Sequence, residues 1–89
     1  MASITIKTIW DGCFVEVENV DMEVITNQDV INSLIESRFL VLEGNTDAGR
    51  CYTILDKNGN KIYPYEIKTL SELGFIDGDE LKIINLHYV

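Results

Sequence analysis

Residues Thr69–Val89, TLSELGFIDGDELKIINLHYV, decide how the chain folds. Thr69 to Phe75 allow one short helical turn, and residues 76–79 form a tight turn around Gly78. Leu81, Ile83 and Asn85 then share one phase of a closing strand, with Ile84 and Leu86 in the other. A strand that is apolar on both phases usually lies in the middle of its sheet, covered on both faces. The closing strand is therefore expected at the centre, and the remaining elements must be arranged around it.

At the other end of the chain, SITIKTIW (residues 3–10) alternates, with Ile4, Ile6 and Trp10 in one phase and Thr5 and Lys7 between them. Such alternation of β-branched residues reads as a half-buried strand. Asp11-Gly12 follows, a dipeptide that tolerates positive φ and signals a hairpin. The return strand CFVEVENV places Val15 and Val17 in one phase and Glu16 and Glu18 in the other, so residues 3–20 read as a β-hairpin. The period then changes. Val30, Ile31, Leu34 and Ile35 form one helical stripe, with Asn32, Ser33, Glu36 and Ser37 off it, which predicts an amphipathic helix near residues 27–38. Thr26 or Asn27 can cap its start, and Asp29 suits the helix dipole.

Residues 43–50, EGNTDAGR, have loop chemistry throughout. CYTILDKNGNKIY is read as a second hairpin, residues 51–55 pairing with 61–63, and Pro64 ends that strand or marks an edge. The element order is thus ββ, α, ββ, short helical turn, β. If the closing strand pairs parallel with the first, the helix must cross one face of a mixed sheet of four to five strands, which is the α+β arrangement called β-grasp. An all-antiparallel α+β roll is the alternative. There is no internal repeat or linker, and 89 residues allow one domain, expected to span residues 1–89.

Charge narrows the function. The net charge is −8, and residues 8–37 carry seven acidic side chains with no Lys or Arg. Such a surface repels phosphate backbones and anionic lipid, which disfavours nucleic acid and membrane surfaces; it reads first as a well-solvated acidic face and, functionally, as a docking surface for a basic partner. Cys13 and Cys51 form neither a disulfide framework nor a CxxC metal pair, and both are expected as small buried thiols in strands. No secretory leader pattern is present, and FLVL (residues 39–42) is too short to span a bilayer. A reducing cytoplasm is the expected setting.

TLSELGFIDGDELKI resembles the closing segment of ubiquitin and its relatives, in which Thr-Leu-Ser-Asp/Glu begins a short helical turn. In that family the Leu of this motif is followed eleven residues later by the first Leu of the last strand, and Leu70 and Leu81 keep that spacing. The turn Asp77-Gly78-Asp79 followed by ELKII looks most like the YukD/EsaB group of small bacterial ubiquitin-like proteins associated with type VII (ESAT-6-like) secretion. This chain differs from them by the extra NLHYV and a longer 43–50 loop.

The resemblance carries two implications for sites. Ubiquitin-type activation threads a thin, flexible terminus into a narrow channel, for which glycine is suited. By register from Leu81, Tyr88 and Val89 fall at or just before those glycines and fit such a channel poorly. The expectation is therefore a non-enzymatic docking module, an accessory of a secretion machine. The alternative is a covalent modifier, a substrate of activating and conjugating enzymes, using Tyr88 and Val89 as its terminus. A sulfur carrier like the ThiS and MoaD groups is disfavoured by the missing diglycine. Second, in ubiquitin a partner-binding patch lies on the sheet face opposite the helix. By the same register Ile84 takes the last-strand position of that patch, with Lys82 beside it in the outward phase. Tyr52 or Ile54 would join from the preceding hairpin, depending on phase.

Enzyme chemistry is poorly provided for, and neither a cofactor nor a metal is expected. His87, the one histidine, lies near the end of the chain, and no Ser-His-Asp or Cys-His set can be assembled. Asp56, Asn58 and Asn60 superficially suggest a calcium loop. An EF-hand, however, needs Gly at the sixth position and Glu at the twelfth, where Lys61 and Ile67 stand. Asp77 and Asp79 flank Gly78 in a turn, which accounts for them without catalysis.

Overall fold

A computed structural model describes residues 1–40, 52–63 and 65–85. Its elements are β1 (Ala2–Thr8), β2 (Phe14–Val20), α1 (Asn27–Glu36), β3 (Tyr52–Leu55), β4 (Lys61–Ile62) and β5 (Asp79–Asn85). The 43–50 loop, Cys51, Pro64 and the last four residues, including His87, Tyr88 and Val89, lie outside the described residues.

The five strands form one mixed sheet in the order β2-β1-β5-β3-β4. β5 is central, parallel to β1 and antiparallel to β3. This settles the choice left open by pattern: the β-grasp arrangement holds and the antiparallel roll does not. The register of the parallel pair sets Ile6 beside Leu81 and Thr8 beside Ile83, so that Leu81 and Ile83 are fully buried. One acidic turn locks that register. The Ser3 N–H donates to Asp77 Oδ1 (2.7 Å), the Ser3 hydroxyl donates to the same oxygen, and Gly78 N–H donates to the Ser3 carbonyl (2.8 Å). Gly78 sits at φ +84°, where a Cβ would be strained.

The first hairpin differs from expectation at both ends. Asp11-Gly12 forms only the second half of a longer turn: Thr8 N–H pairs with the Cys13 carbonyl, and four residues loop out between them. Asp11 organises that loop by accepting from the Thr8 hydroxyl and from Cys13 N–H. The core-facing position after Ile6 therefore belongs to Thr8. Trp10, expected in the core phase, is 41% exposed and stacks on Tyr52 at 5.7 Å. Cys13 is an exposed free thiol in this turn, not a buried strand residue. At the far end, Ala2 pairs with Val20 but Ile4 with Val17, so β2 carries one extra residue, and Asn19 lies at φ +60°. This bulge switches the phase of β2, which is how Val15, Val17 and Val20 can all turn toward the core side.

α1 begins in a capping box: Thr26 Oγ1 accepts from Asp29 N–H, and the Asp29 carboxylate accepts from Thr26 N–H. Of the expected stripe, Val30, Ile31 and Leu34 are buried and Ile35 is partly so. The helix start is clamped to the segment before the helical turn. Asn27 is 4% exposed; its Nδ2 donates to the Glu66 carbonyl (2.6 Å) and its Oδ1 accepts from Lys68 N–H (2.9 Å). Leu70 and Ser71 N–H then donate to the Ile25 and Met22 carbonyls. The helical turn carries its own reciprocal cap, Thr69 with Glu72, and delivers fully buried Leu70 and nearly buried Phe75 to the core.

The second hairpin is shorter than expected, with Tyr63 exposed beyond β4. Its turn is built by Asp56, whose Oδ1 accepts from the N–H groups of Asn58 (2.8 Å) and Asn60 (2.9 Å). The oxygens that suggested a calcium loop are thus the parts of a turn.

Candidate functional site

Register decides what the expected patch can present. Ile54 pairs with Ile83 and Tyr52 with Asn85, which puts both β3 residues in the phase of the core. Ile54 is fully buried and Tyr52 is 8% exposed. Ile84 points away from Leu81 and Ile83, as alternation requires, and lies opposite Thr53 on the other face. It is nevertheless only 7% exposed, and Thr53 only 2%. Lys82 alone among the four reaches solvent. The expectation that Ile84 stands as an open aliphatic contact is therefore corrected. Of the resemblance-based set, no apolar member is accessible as a surface anchor.

A different concavity is open. Between α1 and the first hairpin runs a groove of about 750 Å³, large enough for several side chains. Its floor is Ile4, Ile6, Val20, Leu34 and Leu70, and its walls are Val15 and Val17 from β2 and Val30 and Phe39 from the helix side. Glu18 and Asn19 form one rim, while Asp29, Ser33 and Ser37 form the other, with Arg38 at the end. The cause is geometric. Four inter-strand spacings make a sheet about 19 Å wide, and a helix with its side chains covers about 10–12 Å of it. Leu70 and Phe75 help fill the space, but the side chains of Val15 and Val17 remain only partly covered. The Val15 and Val17 phase was read correctly as core-facing. One ten-residue helix set against five strands is the sequence signal that could have pointed to uncovered apolar surface.

Four carboxylates outside the groove, Asp11, Asp56, Asp77 and Asp79, serve turns. The Thr8 hydroxyl, then Cys13 N–H, holds Asp11 below the ordinary carboxylate range, and the Asp11 carboxylate in turn pushes the Cys13 thiol up. The Asn60 backbone N–H lowers Asp56, and the Ser3 backbone N–H lowers Asp77. Asp79 is lowered first by Lys57, whose Nζ lies 2.9 Å away, and then by Ile76 N–H. The shifts of Asp11, Asp56 and Asp77 follow from bonds that shape turns, and that of Asp79 first from its ion pair with Lys57. Among the described residues, no three His, Cys, Asp or Glu side chains gather where a metal ion would be held, and no helix is long and apolar enough to cross a membrane.

With this geometry in view, one solved structure superposes along nearly the whole chain. The ubiquitin-like domain of Plasmodium falciparum Dsk2 matches with a TM-score of 0.66 at 17% identity, covering 94% of this chain and 96% of that one. The fold is the ubiquitin-like β-grasp. The ubiquitin-like domain of EccD5 from Mycobacterium xenopi also aligns, at 20% identity over 96% of this chain and 93% of that one, with a TM-score of 0.45. No protein-family model matches the sequence, and no curated protein does. On this β-grasp, the groove lies between the helix and the hairpin edge, away from the sheet face on which the resemblance had placed the binding patch.

Proposed function

We propose that the chain is a non-enzymatic protein-interaction module, a single ubiquitin-like unit over residues 1–89, that docks its partner non-covalently. The observation that carries this reading is the open groove of about 750 Å³, whose apolar floor lies beside a sheet edge. An apolar concavity of this size with polar rims is the ordinary form of a recognition site. The setting we infer is the bacterial cytoplasm, as an accessory or regulatory component of a type VII secretion machine. That setting is supported by the likeness of the turn at 77–79 and the ELKII run to the YukD/EsaB group.

The test is a photo-crosslinking amino acid placed at Ser33, on the groove rim, and separately at Glu80, on the exposed part of the opposite face. A light-dependent adduct of fixed mass from Ser33 in cells, with the unirradiated chain at its unmodified mass, supports docking. An adduct that survives denaturation without light and is linked through Val89 would replace docking with covalent modification. Neighbouring genes bear on the setting: a membrane ATPase favours secretion, whereas activating and conjugating enzymes favour modification.

A further inference from the structure

The groove has an edge strand for one wall, and the two edges of the sheet are not alike. β4 is two residues long and carries Lys61, a short charged edge of the kind that resists pairing. β2 is seven residues long, and among the described residues no strand lies beyond it. Among the described residues, the outer side of its backbone therefore has no strand partner and presents N–H and C=O groups next to the apolar floor. Strand addition uses this combination: main-chain hydrogen bonds along the edge, and alternate side chains entering the adjoining concavity.

Charge selects the occupant. Among the described residues that line the groove only Arg38, at its end, is basic, while Glu18 and Asp29 stand on the rims and Glu16 beside them. We propose that β2 and the groove bind an extended segment of a partner protein in which apolar residues alternate with Lys or Arg. The segment adds a sixth strand outside β2. Its apolar side chains enter beside Val15 and Val17, and its basic ones face Glu16 on the other side of the extended sheet. The bulge at Asn19 bends the strand, so the matched register runs over about five residues, roughly 16 Å. A second copy of this chain is a poor occupant, because pairing β2 with its own copy sets acidic side chains against one another between two chains of net charge −8. The inference rests on the docking reading and specifies its ligand.

The experiment titrates the full chain with a nine-residue peptide alternating Lys with Val or Ile. Amide chemical shifts and amide exchange are followed residue by residue. Shift changes at Val15, Val17 and Ser33, with slowed exchange along β2, are expected. A peptide of the same composition with its apolar residues clustered should bind about tenfold more weakly, since only alternation fills the groove. Glu16→Lys, at an exposed position, should weaken the alternating peptide by a similar factor, and Ser33→Arg should block it from the rim. Equal affinity for the two peptides would reduce the effect to charge attraction and overturn the inference. So would shift changes centred on Lys7 and Lys82, which would leave the docking reading intact and move it to the other face. Self-association through β2 in the absence of peptide would also overturn it, with the occupant then being a second copy.

Discussion

Arg38 offers the clearest quantitative test of the backbone. α1 ends at Glu36, Ser37 caps it, and Arg38 follows at φ +64°, in the left-handed region. There the Arg38 N–H donates to the Ile35 carbonyl (3.0 Å) and the Phe39 N–H to the Leu34 carbonyl (2.9 Å), the paired bonds of a Schellman stop. A residue with a Cβ pays roughly 1–2 kcal/mol for that conformation. Arg38→Gly removes the cost but returns about 0.4–1 kcal/mol through the freer unfolded chain. The net expectation is a gain of about 0.5–1 kcal/mol, which for a domain of this size raises the thermal midpoint by about 3–6 °C. Arg38→Ala separates the causes: it deletes the same charge and side chain but keeps the Cβ, so it should stay within about 0.5 kcal/mol of the parent. Urea unfolding of the three proteins, followed by circular dichroism, gives the comparison. If the glycine variant unfolds at the same urea concentration as the alanine variant, or earlier than the parent, position 38 stores no backbone strain and the reasoning fails.

Two further perturbations probe the clamp and the acidic turns. Asn27→Ala leaves the Lys68 N–H and Glu66 carbonyl without their partner beside a buried position, and should cost about 2–3 kcal/mol, with amide exchange in residues 68–71 accelerated more than in β1. A loss below about 0.5 kcal/mol would show that the clamp contributes little. Asp11, Asp56, Asp77 and Asp79 all have folded-state values below the ordinary one. Their contribution is therefore present above the unfolded carboxylate value of about 3.9 and is lost as pH falls through the lower folded values. The urea midpoint should drop below about pH 4, against the relief of repulsion that protonation brings to so acidic a chain. Asp77→Asn should flatten part of that drop; an unchanged slope would mean the bond to Ser3 is not what lowers Asp77.

Most of the fold was legible because its signals are local. Alternation at residues 4–6 and 15–17, the helical stripe from Val30 to Ile35 and the Leu70–Leu81 spacing each report on one element or one junction. The central place of β5 followed from its being apolar on both phases, whereas its parallel pairing with β1 was left open by pattern. What failed depended on where strands end and on how they register and are covered. Trp10 kept the phase of Ile4 and Ile6 on paper, but Thr8 ended the strand by bonding Asp11, and no pattern within eight residues reveals where a strand stops. The phase of β3 was equally hidden: whether Tyr52 and Ile54 face the helix depends on how a four-residue strand registers against β5. Ile84 was oriented correctly and still misjudged, since alternation gives the direction of a side chain but not whether that face is covered.

The acidic run acquires a location from the same topology. Residues 8–37 span β2, the connection after it and the whole of α1, so the stretch lacking Lys and Arg supplies most of the groove's walls, with Arg38 the basic residue at its end. A long unpaired edge beside apolar surface is a hazard for any sheet protein, and charge on the edge is one of the few protections compatible with keeping it open. Glu16 and Glu18 supply that protection on β2, where β4 achieves it by being short. Negative charge protects selectively: it disfavours pairing with an identical chain and leaves a basic strand free to approach. Had the edge been guarded by lysine or blocked by proline, the same groove would be closed to the partners that a −8 surface attracts. The charge and the uncovered valines therefore act on one surface: the first restricts what approaches β2, and the second provides what an approaching strand can bury.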